Sequence, residues 1–84
     1  MRLDKYLKVS RLIKRRTVAS DACAAGRVMV NKTVRKASYD VKVGDIIDIL
    51  FGEKTVTVEV TELVETTKKE FAKEMYKFVD NSPQ

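Results

Sequence analysis

The chain has 84 residues, of which 44% are hydrophobic and 35% charged, and carries a formal net charge of +5. That length holds one domain, expected over residues 1–84, and leaves little room for a large catalytic cleft, while the apolar content is too high for a fully disordered chain. With no histidine and a single cysteine, Cys23, the usual zinc constellations, the Cys–His and Ser–His pairs and an internal disulfide are all excluded, and neither cofactor nor metal is expected.

From Arg2 to Val9, Leu3, Tyr6 and Leu7 fall on one helical face and Arg2, Lys5 and Lys8 on the other, which predicts a short amphipathic helix. A second helix is predicted over Val18–Ala25, capped by Thr17, with Asp21 near its positive end and Gly26 as its stop. Its expected apolar stripe is Val18, Ala22 and Ala25, small enough to pack closely on the first helix. The Ser10–Arg16 connection between them carries Arg11, Lys14, Arg15 and Arg16.

Past Gly26 the pattern turns to strands. Val28, Val30 and Val34 flank Asn31-Lys32, a pair read as a tight hairpin turn because Asn tolerates positive φ. A turn at Val43-Gly44-Asp45 leads into the apolar run Ile46–Phe51, Gly52-Glu53 breaks it, and Val56, Val58 and Val60 alternate with polar residues as in a half-buried strand. Thr67 and Glu70 form a capping box ahead of Phe71, Met75 and Phe78, which would share one face of a terminal helix that stops before Pro83. The expected fold is α+β: two N-terminal helices packed on a small, mainly antiparallel sheet, with a C-terminal helix. Its core motif covers about residues 1–50, and about 51–80 complete the sheet and carry that helix. Asp48 interrupts the longest apolar cluster and residues 1–20 lack a signal-peptide core, so a cytoplasmic protein with no membrane partner is expected.

The charge is divided unevenly. Eleven Lys or Arg against two Asp give the first 36 residues +9, while the remaining 48 carry −4. A dense positive face concentrates a polyanion against it, and Arg adds a planar fork that can grip a phosphate with two hydrogen bonds. If the two helices pack together, Arg2, Lys5, Arg11, Lys14, Arg15 and Arg16 form such a face at their junction. The plainer reading is a solvated helical surface, disfavoured by how few acids compensate the charge. Asp4, the acid among these cations, either pairs with Lys8 one turn on, orients Arg or Lys side chains, or accepts a hydrogen bond from RNA.

Arg27, Lys32, Arg35 and Lys36 carry positive charge onto the hairpin, Lys32 at its tip, although ordinary exposed hairpin charge would look the same. Tyr6 could stack on a base, but its place beside Leu3 and Leu7 favours a half-buried core residue. Phe71, Met75 and Phe78 suit packing on the sheet better than a partner-binding groove, and Cys23 reads as a packing residue. The three glycines are scattered, so no phosphate-cradling loop is present, and nothing singles out a carboxylate pair for catalysis.

Arg2-Leu3-Asp4-Lys5-Tyr6-Leu7, Ser10-Arg11, Arg15-Arg16-Thr17-Val18-Ala19 and Gly26-Arg27-Val28-Met29-Val30-Asn31 together resemble the RNA-binding domain named after ribosomal protein S-four. Over the whole length, Met1–Thr17, Lys36-Ala37-Ser38, Phe51-Gly52 and 66–70 make the chain similar to the RqcP family of ribosome-associated quality control factors, relatives of the fifteen-kilodalton heat-shock protein. That resemblance implies a non-enzymatic factor that binds the large ribosomal subunit obstructed by peptidyl-tRNA. It implies contact with large-subunit rRNA and tRNA and support of C-terminal alanine tailing by the partner RqcH. By motif position it makes Arg2, Asp4, Arg11, Arg15, Arg16 and Lys36 candidate contacts. Asn31-Lys32 departs from the Asn-Gly of many relatives. A nucleoid-type DNA-binding protein, which would use the same cations, and a protein-binding accessory module, which would present the Phe71 face, are the alternatives.

Overall fold

The computed structural model describes residues 1–64 and 74–79. Leu3, Tyr6 and Leu7 recur at helical spacing and are fully buried on one side of α1 (Leu3–Val9). Seven residues are too few for a helix to hold itself together in water, so its ends are secured by the rest of the chain. Arg2 precedes the helix without a side-chain cap; instead the Leu3 and Asp4 N–H groups donate to the carbonyls of Tyr39 (2.8 Å) and Ala37 (3.2 Å). At the other end Arg11 takes φ +65, where a glycine is usual, and its N–H donates to the Lys8 carbonyl at 3.0 Å.

α2 (Arg16–Ala24) begins two residues earlier than expected, with Arg15 as its extended N-cap and Thr17 inside the first turn rather than capping it. Its buried face is also rotated from the expected stripe. Ala19 and Cys23 are buried with Ala22 packed beside them, whereas Val18 is 49% exposed. Ala19, Ala22 and Cys23 keep the i, i+3, i+4 spacing with less bulk, so the two helices pack through small side chains and the more hydrophobic Val18 is left outside. Gly26 at φ +75 ends the helix as expected, and the Arg27 N–H returns to the Ala22 carbonyl at 2.9 Å.

Five strands follow: β1 (Val28–Val30), β2 (Thr33–Val34), β3 (Ile46–Phe51), β4 (Lys54–Val60) and β5 (Tyr76–Phe78), in the antiparallel order β2-β1-β3-β4-β5. The β1–β2 turn places Asn31 at φ +52 and Lys32 at φ +71, the pair of positive values a two-residue hairpin loop demands. Asn31 is held there by its side chain, which donates to Asp45 Oδ1 (3.1 Å) and accepts from the Ile46 N–H (3.0 Å). Val28, Val30, Ile47, Ile49, Val58 and Val60 line the sheet face under the helices, all essentially without solvent contact. On the opposite face Asp48 is buried, accepting a short hydrogen bond from the Thr57 hydroxyl.

The expected C-terminal helix is not shown. Phe71 and the Thr67–Glu70 capping box lie outside the described residues, and Tyr76–Phe78 is a strand paired antiparallel to β4. Phe78, expected to share a helix face with Met75, lies opposite Val58 and is 70% exposed, while Met75 is buried in the turn leading into β5. Tyr76, Lys77 and Phe78 alternate as a strand requires, Lys77 lies 3.8 Å from Glu59 across the pair, and β4 gains hydrogen-bond partners along its second edge. The Tyr6 hydroxyl donates to the Met75 carbonyl at 2.6 Å, tying α1 to the approach to β5. Among the described residues, no helix is long and apolar enough to cross a membrane.

Candidate nucleic-acid interface

Because α2 packs directly on α1, its first residue faces the first turn of α1, and the acid there is shared. Asp4 is only 4% exposed. Its Oδ1 accepts from Arg2 Nε (3.1 Å) and from the Lys5 N–H (2.8 Å), and its Oδ2 accepts from an Arg2 Nη (3.3 Å) and lies 3.4 Å from Arg16 Nε. Both guanidinium groups are about half exposed, so the carboxylate is inside and the cations face out. Of the readings open from the sequence, the orientation of arginines is the one this geometry realises, with partners two and twelve residues away rather than Lys8.

Burial alone would raise the Asp4 pKa, but hydrogen bonds from Arg2 and Arg16, the Arg16 charge and the Lys5 N–H together hold it below its ordinary value of 3.8. The carboxylate is therefore ionised at neutral pH. Its contribution to stability is complete above the unfolded pKa and disappears as pH falls through the lowered folded value. Thermal midpoints of the natural chain and of Asp4→Asn are expected to differ at about pH 7 and to converge by about pH 2, which a melting series by circular dichroism checks.

The other predicted cations fall into groups. Arg11, Lys14 and Arg15 are exposed along the connection between the helices, Arg11 fixed in its left-handed conformation; Lys5 is half-buried on α1. Arg27 is exposed at the entry to β1. Lys32 sits in the hairpin turn with its ammonium 3.6 Å from the buried Asp48 carboxylate, which gives it a part in the sheet. Arg35 and Lys36 are exposed on the segment whose Ala37 and Tyr39 carbonyls cap α1, so the fold brings that segment against the Arg2–Asp4–Arg16 cluster.

Tyr6 has no exposed surface, so it cannot stack on a base. No sequence pattern marks Tyr39. The Arg35 guanidinium carbon lies 5.0 Å from the centre of its ring, and its hydroxyl donates to Asp45 Oδ2 at 3.0 Å. The only local hint was an aromatic residue four positions after an arginine, a spacing that in a loop says nothing about contact.

A small helix pair presenting arginines over a buried acid, backed by an antiparallel sheet, is an architecture with known counterparts. The S4 domain family matches residues 1–47. The RQC P-site tRNA stabilizing factor of Bacillus subtilis (strain 168) is 59% identical over 76 residues, covering 90% of this chain and 88% of that protein. Its namesake from Halalkalibacterium halodurans is 54% identical over 83 residues, covering 99% and 94%. The trimeric structure of Vibrio cholerae heat shock protein 15 superposes with a TM-score of 0.88 at 26% identity, over 94% of this chain and 81% of that one. The chain belongs to the S4 domain family and, within it, to the family of these RQC P-site tRNA stabilizing factors.

Proposed function

We propose that the chain is a non-enzymatic RNA-binding factor of ribosome-associated quality control. It sits on the obstructed large ribosomal subunit, contacts large-subunit rRNA and the P-site peptidyl-tRNA, and so supports alanine tailing with RqcH as its partner. The observation that carries this reading is the buried Asp4 carboxylate holding Arg2 and Arg16 outward, a preset pair of phosphate-gripping forks. The names of the two factors above, as P-site tRNA stabilizing factors, support the choice of RNA.

In this reading Arg2, Lys5, Arg11, Lys14, Arg15 and Arg16 neutralise phosphates, and Arg27, Lys32, Arg35 and Lys36 extend the contact along the hairpin side. Specificity comes from RNA shape, with tRNA held in place by binding alone. Neutralising about five phosphates gives a log affinity that falls with log salt at a slope of roughly −3.5 to −4.5. Filter binding of large subunits or tRNA over a salt series measures that slope, and a flat line would remove the phosphate-contact account.

A further inference from the structure

Between α2 and the segment that follows β2 lies an open cleft of about 500 Å³. Ser20 and Ala24 line it from successive turns of α2, Gly26 from the helix stop, and Val34, Arg35 and Lys36 from the facing segment. The α2 wall is made of small side chains, which lets a flat group approach the helix closely. At the glycine a Cβ would come no closer than ordinary contact, 4.0 Å from Val34 Cγ1, so the floor of the cleft is open.

Its rim is cationic, and one cation is preset: Arg35 is held over the Tyr39 ring, which is itself anchored through its hydroxyl to Asp45. The cleft also adjoins the arginine cluster. Arg16 is one helical turn ahead of Ser20 on α2, and Ala37, another of the lining residues, gives its carbonyl to the Asp4 N–H. A polyanion laid across Arg2 and Arg16 thus meets, one turn along, an apolar slot with two more cations at its edge. A folded RNA strand supplies what both parts need, phosphates for the rim and an aromatic face for the slot.

We propose that this cleft receives one unpaired nucleotide of the bound RNA. Its base lies against Ala24, Gly26 and Val34, the Ser20 hydroxyl meets the base edge, and Arg35 and Lys36 take the flanking phosphates. The proposal rests on the RNA-binding reading and adds to it a preference that phosphate contacts cannot produce, since every nucleotide carries the same phosphate.

Two labelled RNA hairpins of equal length, one fully paired and one with a single bulged adenosine, test it by fluorescence anisotropy at low salt. The natural chain is expected to bind the bulged hairpin several-fold to about ten-fold more tightly, the scale of removing part of one base face from water against apolar side chains. Ala24→Leu and Ser20→Val each put bulk into the cleft; Ala24 is exposed, and a melting curve establishes that each variant is folded. Either folded variant should lose the preference and keep its affinity for the paired hairpin. Equal binding of both hairpins by the natural chain, or a preference retained in the folded variants, overturns the cleft assignment and leaves the RNA-binding reading standing. Absence of binding to both hairpins overturns the two together.

Discussion

Arg16→Glu is expected to reduce RNA affinity by about a hundred-fold or more at moderate salt while the domain stays folded. A charge-assisted hydrogen bond contributes about 1.5–3 kcal/mol, and replacing the cation by an anion adds repulsion from the same phosphate. About 3 kcal/mol in all corresponds to two decades in the dissociation constant. The fold should tolerate the change because the Arg16 side chain is about half exposed and the α1–α2 contact runs through Ala19, Ala22 and Cys23 instead.

The substitution also places a second carboxylate beside buried Asp4 and leaves Arg2 as the arginine still bonded to it. Arg16→Gln separates the two effects: it removes the cation without adding an anion, and its loss should be about ten-fold. Titration of tRNA or purified large subunits measures both, with a melting curve to establish folding. Undiminished binding by folded Arg16→Glu would remove the helix junction from the interface.

Tyr6→Ala should be the most destabilising single change on α1. Truncating a fully buried large aromatic ring costs about 3–5 kcal/mol. A chain of 84 residues holds roughly 4–13 kcal/mol at the usual stability per residue, so that loss is a large share of the whole. Tyr6→Phe keeps the ring but strips the Met75 carbonyl of the hydroxyl that reaches it at 2.6 Å, which costs about 1–3 kcal/mol. Urea denaturation measures both. Under native conditions Tyr6→Phe should bind RNA like the natural chain, because a residue with no exposed surface acts on the interface only by keeping α1 in place. A Tyr6→Phe variant as stable as the natural chain would show that the link to Met75 carries no weight.

The parts of the fold that were legible from sequence are those where one periodicity acted alone. Ile46–Phe51 and the alternating valines of β4 could only be strands, and Asn31 announced the hairpin turn through its tolerance of positive φ. In the α2 stripe hydrophobicity favours Val18, whereas close helix contact selects Ala19 and Cys23, whose small size carries no strong hydropathy signal. At the C-terminal end Met75 and Phe78 are three apart and Tyr76 and Phe78 two apart, so helical and strand periods coexist; the open edge of β4 decided for the strand.

The candidate site was legible as charge but not as geometry. Arg2, Asp4 and Arg16 stood out as residues, yet their union depends on α2 folding back so that Arg16 meets an acid twelve positions earlier. Local spacing instead offered Lys8. Tyr39 carries no such signal, because a stacked arginine in a loop leaves no periodic trace.

The backbone capping of α1 by residues 37 and 39 makes the arginine surface depend on contacts distant in sequence. Leu3 and Asp4 need carbonyls more than 30 positions downstream, and Tyr6 needs one at Met75, so α1 is secured by segments far from it in sequence. Contacts this distant in sequence form late and slow the folding reaction. A fragment that stops short of residue 75 is expected to lack this anchor on α1, so the ordered Arg2–Asp4–Arg16 cluster is a product of the whole fold rather than of the helix pair alone.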